Sequence, residues 1–437
     1  MINIEKTTPM AQIVSVNQYG EAICAGAAKI STTQGNAMEI FNATKESENN
    51  IPLIKKVLRS GHCSVLEHAV FSIALWNVSV FVEQFFIEAR LASFTVKSRR
   101  YVDFGGQGYY IPPELSKESR EAYCQYMDSL FDAYRKPLEL GAPKEDARFL
   151  LPYSFHSSFF CTLNARQLVH LINATRARGI PELTDIADQL AGQLEELFPG
   201  AAPLLSHKSP VESQGKEFQY HHLIEENNAG KIYMLQNPCV PEIMLKHAWK
   251  IARPGERFNL KRLTASERPR ELEQLNYTFA IQDISLPALT HLVRHRMQSI
   301  VVSPLEQIDG IRQLLPNNIA NNPVWREVYE DALSKASKTR VALNQNAELR
   351  KHSVYFLPSA TLTTVITTLN ARELQLFIRL RTCNRAQWEI RNIALRMLGE
   401  VKPTYPELFQ YYGPTCHTTG KCPEGALSCG KGFNPEN

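Results

Sequence analysis

Separated blocks of this sequence recur at one offset, 206 residues, and that limits what the chain can fold into. Thr162-Leu163-Asn164-Ala165-Arg166 reappears as Thr368-Leu369-Asn370-Ala371-Arg372, and Leu151-Pro152 reappears as Leu357-Pro358. Upstream, Arg90 and Ser93 match Arg296 and Ser299, while Ala74 and Ser79 match Ala280 and Ser285. A lone five-residue match arises by chance. Matches running from Ala74 to Arg166 with no net insertion mean a duplicated domain. The period far exceeds the roughly 20–50 residues of solenoid repeats, so each copy is expected to own a complete core. Two cores also suit a chain of 437 residues. Copy one is assigned residues 1–215 and copy two, with a Cys-rich tail, residues 216–437; the seam falls in the Pro-, Gly- and Ser-rich stretch from Phe198 to about Lys231.

Each copy reads as an α+β domain. Val70–Leu75 and Tyr277–Ile281 are short and rich in strand formers. Ser79 and Ser285 follow as helix N-caps, opening helical stretches to Arg90 and Arg296. Another helix follows each Asn-Ala-Arg block. Asn384, with Gln387 three residues on, reads as a capping box opening a helix through Arg391 to about Gly399.

Composition sets the class of partner. Apolar residues are 44% and charged residues 21%, the mix of a globular protein. No apolar run approaches the ~18 residues that cross a bilayer, and MINIEKTTPM lacks the layout of a secretory signal, so a cytoplasmic protein without membrane association is expected. A net charge of +4 and a pI near 8.5 are too mild for a nucleic-acid polymer and favour small anions. Nine cysteines, an odd number, point to reduced thiols or a metal rather than a disulfide framework.

Four clusters carry candidate chemistry. Arg294-His295-Arg296 sets two fixed cations around a titratable ring, suited to phosphate because guanidinium forks bind oxyanions bidentately; the alternative is a solvated helix end favoured by the macrodipole. Ser98-Arg99-Arg100-Tyr101 offers a hydroxyl, two cations and a ring, or else an exposed basic turn. Gln387 and Arg391 lie one turn apart on a helix face, with Glu389 and Arg391 readable as plain surface charges. His62, Ser64, Glu67 and His68 form a polar knot whose spacing lacks the helical two-histidine metal pattern.

Taken together, these fragments resemble the flavin-dependent thymidylate synthases. That family carries His-x-[Ser/Thr]-x-x-Glu-His, here His62–His68, then a signature of the form RHRxxSxNExSxR, an Asn-Ala-Arg helix and a Gln-Trp-Glu-Ile-Arg helix. The resemblance implies two tandem copies of the family's α+β fold, an antiparallel sheet with flanking helices. It also implies FAD, NADPH and methylenetetrahydrofolate, and methylation of dUMP or a related pyrimidine nucleotide at C5. Catalytic roles fall to Arg391 and Ser98; substrate contacts to Arg294, Arg100, Arg99, Ser93, His291 and Gln387. Flavin contacts fall to Arg294, His295 and Arg296, to Asn370, Arg372 and Arg381, and to Ser31, Ser64 and Glu67.

The pattern is divided between the copies. Copy one has Glu88-Ala89-Arg90 for Arg-His-Arg but keeps Ser93, Ser98 and Arg100; copy two keeps Arg294-His295-Arg296 and Ser299 but has Pro304 and Glu306 at the later positions. Arg391 lies 206 residues after Asp185, so only copy two carries the distal arginine. Because the family shares each nucleotide site between subunits, the resemblance implies one composite site per chain and a homodimer mimicking the family's tetramer. Ser158 and Thr364 stand where the family has a phosphate-contacting arginine, which leaves open a flavin-dependent reductase or tailoring enzyme working without folate, or a non-catalytic nucleotide-binding protein. Cys383, Cys416, Cys422 and Cys429 could hold a structural zinc; free thiols or a redox pair are the alternatives.

Overall fold

A computed structural model describes residues 8–205, 232–308 and 310–431. The expected boundary between residues 215 and 216, and the seam beyond Leu205, lie outside the described residues. Two antiparallel four-stranded sheets form the framework. The first contains β1 (Met10–Val16), β2 (Val70–Ser79), β3 (Ala92–Val96) and β4 (His156–Asn164) in the order β1-β2-β4-β3. The second contains β5 (Ile232–Gln236), β6 (Asn276–Ser285), β7 (Ser299–Val302) and β8 (Leu362–Asn370) in the order β5-β6-β8-β7. The fold is α+β, two tandem versions of one antiparallel sheet with flanking helices.

Register repeats as closely as strand order. Val70 faces Asn164 and Asn276 faces Asn370, and each central ladder breaks at the same step, between Leu75 and Val78 and between Ile281 and Ile284. Inside those bulges Asn77 has φ 54° and Asp283 φ 57°. Asn and Asp tolerate this left-handed region better than other side chains with a Cβ, and the extra residue bends the strand into the helix that follows.

Helix starts are fixed by short polar side chains. The Ser79 hydroxyl accepts from the Val82 N–H and that of Ser285 from the Ala288 N–H, each at 3.2 Å. Asn164 and Asn370 cap the next helices, Ala165–Ala177 and Ala371–Arg381, by accepting from Gln167 and Glu373, each at 2.9 Å. Such caps satisfy backbone donors that have no intrahelical partner. The last helix expected in copy two begins one turn later than the sequence suggested: Gln387 is its N-cap, accepting from Ile390 N at 2.8 Å, and the helix runs Trp388–Val401. Asn384 instead donates to the Cys429 sulfur at 3.4 Å, so it ties down the tail rather than opening a helix.

The chain divides into two compact units: described residues of 1–218 with 316–358, and of 219–315 with 359–437. In the first, helix Lys117–Glu139 packs with helix Pro323–Leu343 from the second half of the sequence. Tyr329 donates to the Asp146 carbonyl at 2.6 Å, Trp325 to the Leu140 carbonyl at 3.1 Å, and Tyr126 to the Phe356 carbonyl at 2.8 Å. Pro152 pairs with Pro358, its own equivalent in the repeat, and Tyr153 N–H donates to Leu357 O at 2.8 Å. Beside the sheet, helix Pro181–Leu197 buries Leu183, Ile186, Leu190 and Leu194, and uses the Gln189 and Gln193 amides to accept the Ala11 and Ile13 N–H groups of edge strand β1. The corresponding helix of the second unit buries Ile390, Ala394 and Met397. Each such Leu, Ile or Met side chain contributes roughly 1.5–3 kcal/mol on burial. Among the described residues no helix is long and apolar enough to cross a membrane.

Candidate active site

In the second unit, β6 delivers Ser285 to the start of helix Leu286–Leu292, and Glu389 closes over that point. The Glu389 carboxylate accepts from the Ser285 N–H at 2.8 Å and from the Ser285 hydroxyl. The first unit repeats the arrangement: Glu182 accepts from the Ser79 N–H at 2.7 Å and the Ser79 hydroxyl at 2.6 Å. Glu389 is therefore a buried tie between helices, 7% exposed, rather than a surface charge. The two serines are 206 positions apart and the two glutamates 207, so a residue has been inserted in copy two before Glu389. Arg391, two residues beyond Glu389, then corresponds to Thr184, two beyond Glu182, and not to Asp185. Copy one still lacks the arginine. Burial holds Glu182 protonated to about pH 7, against the hydrogen bonds from Ser79 and Tyr355, whose hydroxyl lies at 2.9 Å.

Past helix Leu286–Leu292 the three residues of Arg294-His295-Arg296 separate by role. His295 is 4% exposed and packs edge-on against Phe377 with ring centroids 4.8 Å apart. Its Nε2 accepts from Arg381 Nε at 3.0 Å, so the proton sits on Nδ1 and is donated to Glu373 Oε1 at 3.2 Å. Burial depresses the His295 pKa, offset in part by Glu373 and reinforced by the Arg381 charge. His295 is thus a neutral anchor between two residues of helix Ala371–Arg381, while Arg294 and Arg296 on either side are exposed. Arg381 also donates to the His291 carbonyl at 3.4 Å. Gln298, which the sequence did not single out, donates to Leu292 O and accepts from Thr367, both at 2.6 Å, and so closes the helix end onto β8.

Helix Trp388–Val401 brings Arg391 to a cavity of about 490 Å³. Arg379 and Arg385 line it from the neighbouring helix end and turn, and Lys431 lines it from the tail. Glu424 is the one carboxylate among the described lining residues. Gln387, 1% exposed, uses its carbonyl oxygen to cap the helix, and its buried Nε2 has no hydrogen-bond acceptor among the described residues. Buried donors are ordinarily satisfied, so such a group marks a place where another acceptor is expected.

All four cysteines suspected of holding zinc line this same cavity. Yet among the described residues no group of three or more His, Cys, Asp or Glu is arranged to hold a metal ion. Cys383 lies in the turn after helix Ala371–Arg381, Cys416 in the short helix Thr415–Thr419, and Cys422 and Cys429 on exposed chain beyond it. The long spacings spread the thiols around the wall instead of gathering them. Hydrogen bonding from Asn384 lowers the Cys429 pKa.

The first unit places the other expected residues differently. Arg99 turns inward to pair with Glu83, which also accepts from Ser157, and its guanidinium lies 5.6 Å from the centre of the Phe155 ring. With its side chain 7% exposed, Arg99 holds the loop rather than facing solvent. Arg100 pairs with Glu145 at 2.6 Å, and its N–H donates to the Ser98 hydroxyl at 3.3 Å. Ser93 is exposed on β3, Ser31 and Ser64 are exposed, and Glu67 pairs with Arg166 at 2.5 Å. The repeat does the same, Glu273 pairing with Arg372 at 2.5 Å. Glu67 and Arg372 thus belong to two equivalent ion pairs, Glu67–Arg166 in copy one and Glu273–Arg372 in copy two. Its signal was legible, because Glu67 and Glu273 stand 206 residues apart, as Arg166 and Arg372 do.

A family model described as thymidylate synthase complementing protein matches residues 12–200 and 242–407. Similar curated proteins include the flavin-dependent thymidylate synthase of Geobacter sulfurreducens, 39% identical over 164 residues that cover 37% of this chain and 70% of that protein. That of Clostridium tetani is 36% identical over 178 residues, covering 37% and 71%. Among solved structures, a UMP/dUMP methylase, PolB from Streptomyces cacaoi bound with 5-Br dUMP, aligns with a TM-score of 0.40 at 22% identity over 45% of this chain and 94% of that one.

Proposed function

Because the chain belongs to the thymidylate synthase complementing protein family, we propose that it is a flavin-dependent methyltransferase transferring a folate-borne one-carbon unit to C5 of a pyrimidine nucleotide, dUMP or a related substrate, with NADPH as reductant. The observation that carries this reading is the cationic cavity at Arg391, with the unsatisfied Gln387 amide one turn away on the same helix. A nucleotide brings an anion to this cation-rich lining and a ring carbonyl to the buried Gln387 N–H.

The residues present suit FAD in the second half better than in the first. Arg294 and Arg296 are exposed around a fixed, neutral His295, and paired guanidinium forks suit a pyrophosphate; Glu88 occupies the place of Arg294 in the first half. Asn370, Arg372 and Arg381 lie on the helix that anchors His295, and Ser31, Ser64 and Glu67 are the first-half groups in this reading. Bound flavin supplies the hydride. The part of the Arg391 guanidinium is to stabilise charge that develops on the pyrimidine ring. Ser98, with Arg100, Ser93 and His291, completes the substrate groups, and Arg99 acts from the core by fixing the Ser98 loop. Turnover on this reading requires groups of both halves, and the assembly is a homodimer of the 49.5 kDa chain.

The test begins with the protein as purified, which is expected to be yellow and to oxidise NADPH faster when dUMP or UMP and methylenetetrahydrofolate are added. Ser158 and Thr364, in place of the pattern's phosphate-contacting arginine, favour one second reading, a flavin enzyme acting on another heterocycle without folate. Nucleotide-stimulated NADPH oxidation that ignores folate selects it. Tight nucleotide binding with no turnover selects a non-catalytic binder.

A further inference from the structure

The tail after Tyr412 is tied down by a few polar contacts, one of them His417 to the Gln410 carbonyl at 3.3 Å, and lines the Arg391 cavity. At its root Tyr412, 2% exposed, donates its hydroxyl to the Ala371 carbonyl at 2.9 Å. Near its end Cys429 accepts from Asn384 at 3.4 Å. The chain from His417 to Lys431 is exposed, yet Cys416, Cys422, Cys429 and Lys431 line the same cavity as Arg379, Arg385 and Arg391. Among the described residues from His417 to Lys431 none is buried. The stretch is held by a few polar contacts around a concavity whose described lining residues include four cations and one carboxylate.

Such a wall needs a ligand to be more than a cover. Charge and size set the ligand's class: a cavity of about 490 Å³ lies in the range of small-molecule sites, and its lining favours an anion. We propose that residues Pro414–Lys431 form a ligand-contacting wall of this cavity, that its ligand is a nucleoside monophosphate, and that Lys431, Cys422 and Cys429 lie against it. This rests on the reading that the second unit binds a nucleotide, and adds to it the element that selects which nucleotide. Substrate choice then depends on a segment far in sequence from the arginine it faces.

Alkylation of the native full-length protein by iodoacetamide, followed site by site in a mass spectrometer, tests the wall. Cys239, exposed and absent from the cavity lining, is the internal control. With dUMP or UMP at ten times its dissociation constant, Cys422 and Cys429 are expected to react about tenfold more slowly while Cys239 is unchanged, because only free protein reacts at full rate. Inorganic phosphate at the same concentration is expected to protect less. Lys431→Glu is expected to weaken nucleotide binding by about threefold or more in calorimetry without moving the melting temperature, as for a partly screened charge contact. If dUMP or UMP binds in calorimetry yet neither protects the thiols nor responds to Lys431→Glu, the wall is overturned and the enzyme reading stands. If neither nucleotide binds the wild-type protein, both fall together.

Discussion

Glu389 accepts both donors of Ser285, the N–H at 2.8 Å and the hydroxyl, and so fastens the start of the Arg391 helix to the start of the helix that leads into Arg294. Glu182 holds Ser79 in the same way in the other unit. A Glu389→Ala substitution leaves two buried donors without an acceptor. It should lower stability by about 2–4 kcal/mol in urea unfolding, whereas Glu389→Gln, which keeps one acceptor, should lose roughly half as much.

Glu182 gives the first unit a defined pH response. Its folded pKa is about 7, against a usual value of 4.5, so between those values the unfolded chain ionises while the folded one stays protonated. Stability therefore falls as pH rises through that window, by an amount on the order of 3 kcal/mol, and no further change is due to this group above it. Glu182→Gln should flatten that dependence in unfolding experiments at pH 5, 6 and 7. An unchanged slope would remove Glu182 as its source.

His295 works in the opposite sense. Its folded pKa is depressed, so the stability tied to its neutral form is present above the unfolded value near 6.5 and is lost as pH falls. His295→Phe strands Glu373 and Arg381 and should cost about 2–4 kcal/mol. Arg294→Ala and Arg296→Ala, at exposed positions, should change stability by under about 0.5 kcal/mol yet reduce the flavin retained per chain. Comparing unfolding midpoints with flavin content separates anchor from ligand group.

The two halves should respond unequally to the same kind of change. Arg391→Ala is expected to lower kcat/KM by about 100-fold or more, the scale of losing a charge-stabilising donor. Thr184→Ala, at the equivalent position of copy one, should leave turnover within about twofold of wild type, as surface changes remote from chemistry do. Equal losses from both would mean that copy one keeps a working distal site.

Much of the fold was legible because duplication writes it twice. Matching Ser79 with Ser285 located two caps, and the repeated Asn-Ala-Arg blocks marked the helices that follow them, whereas strand order, the bulges and the capping by Asn164 and Asn370 emerge only in the structure. The offset misled at the last helix, since one residue inserted before Glu389 shifts every later equivalence and only the buried Ser–Glu tie reveals it. Side-chain direction was harder to read. Arg99 and Arg100 look alike in sequence, but Glu83 inside the core claims the first and Glu145 the second. The docking of helix Pro323–Leu343 in the first unit was also hidden, because an apolar face such as Tyr329, Leu333 and Ala336 does not state which partner it meets.

On the proposed reading Arg391 of the second unit serves a live nucleotide-methylating site. Chromatography of nucleotides after incubation with dUMP, methylenetetrahydrofolate and NADPH tests it most directly, run in parallel on wild type and Arg391→Ala. A C5-methylated product that requires both folate and NADPH, and is lost in the variant, is the expected result. Wild-type protein that purifies without flavin and returns dUMP and UMP unaltered would contradict it.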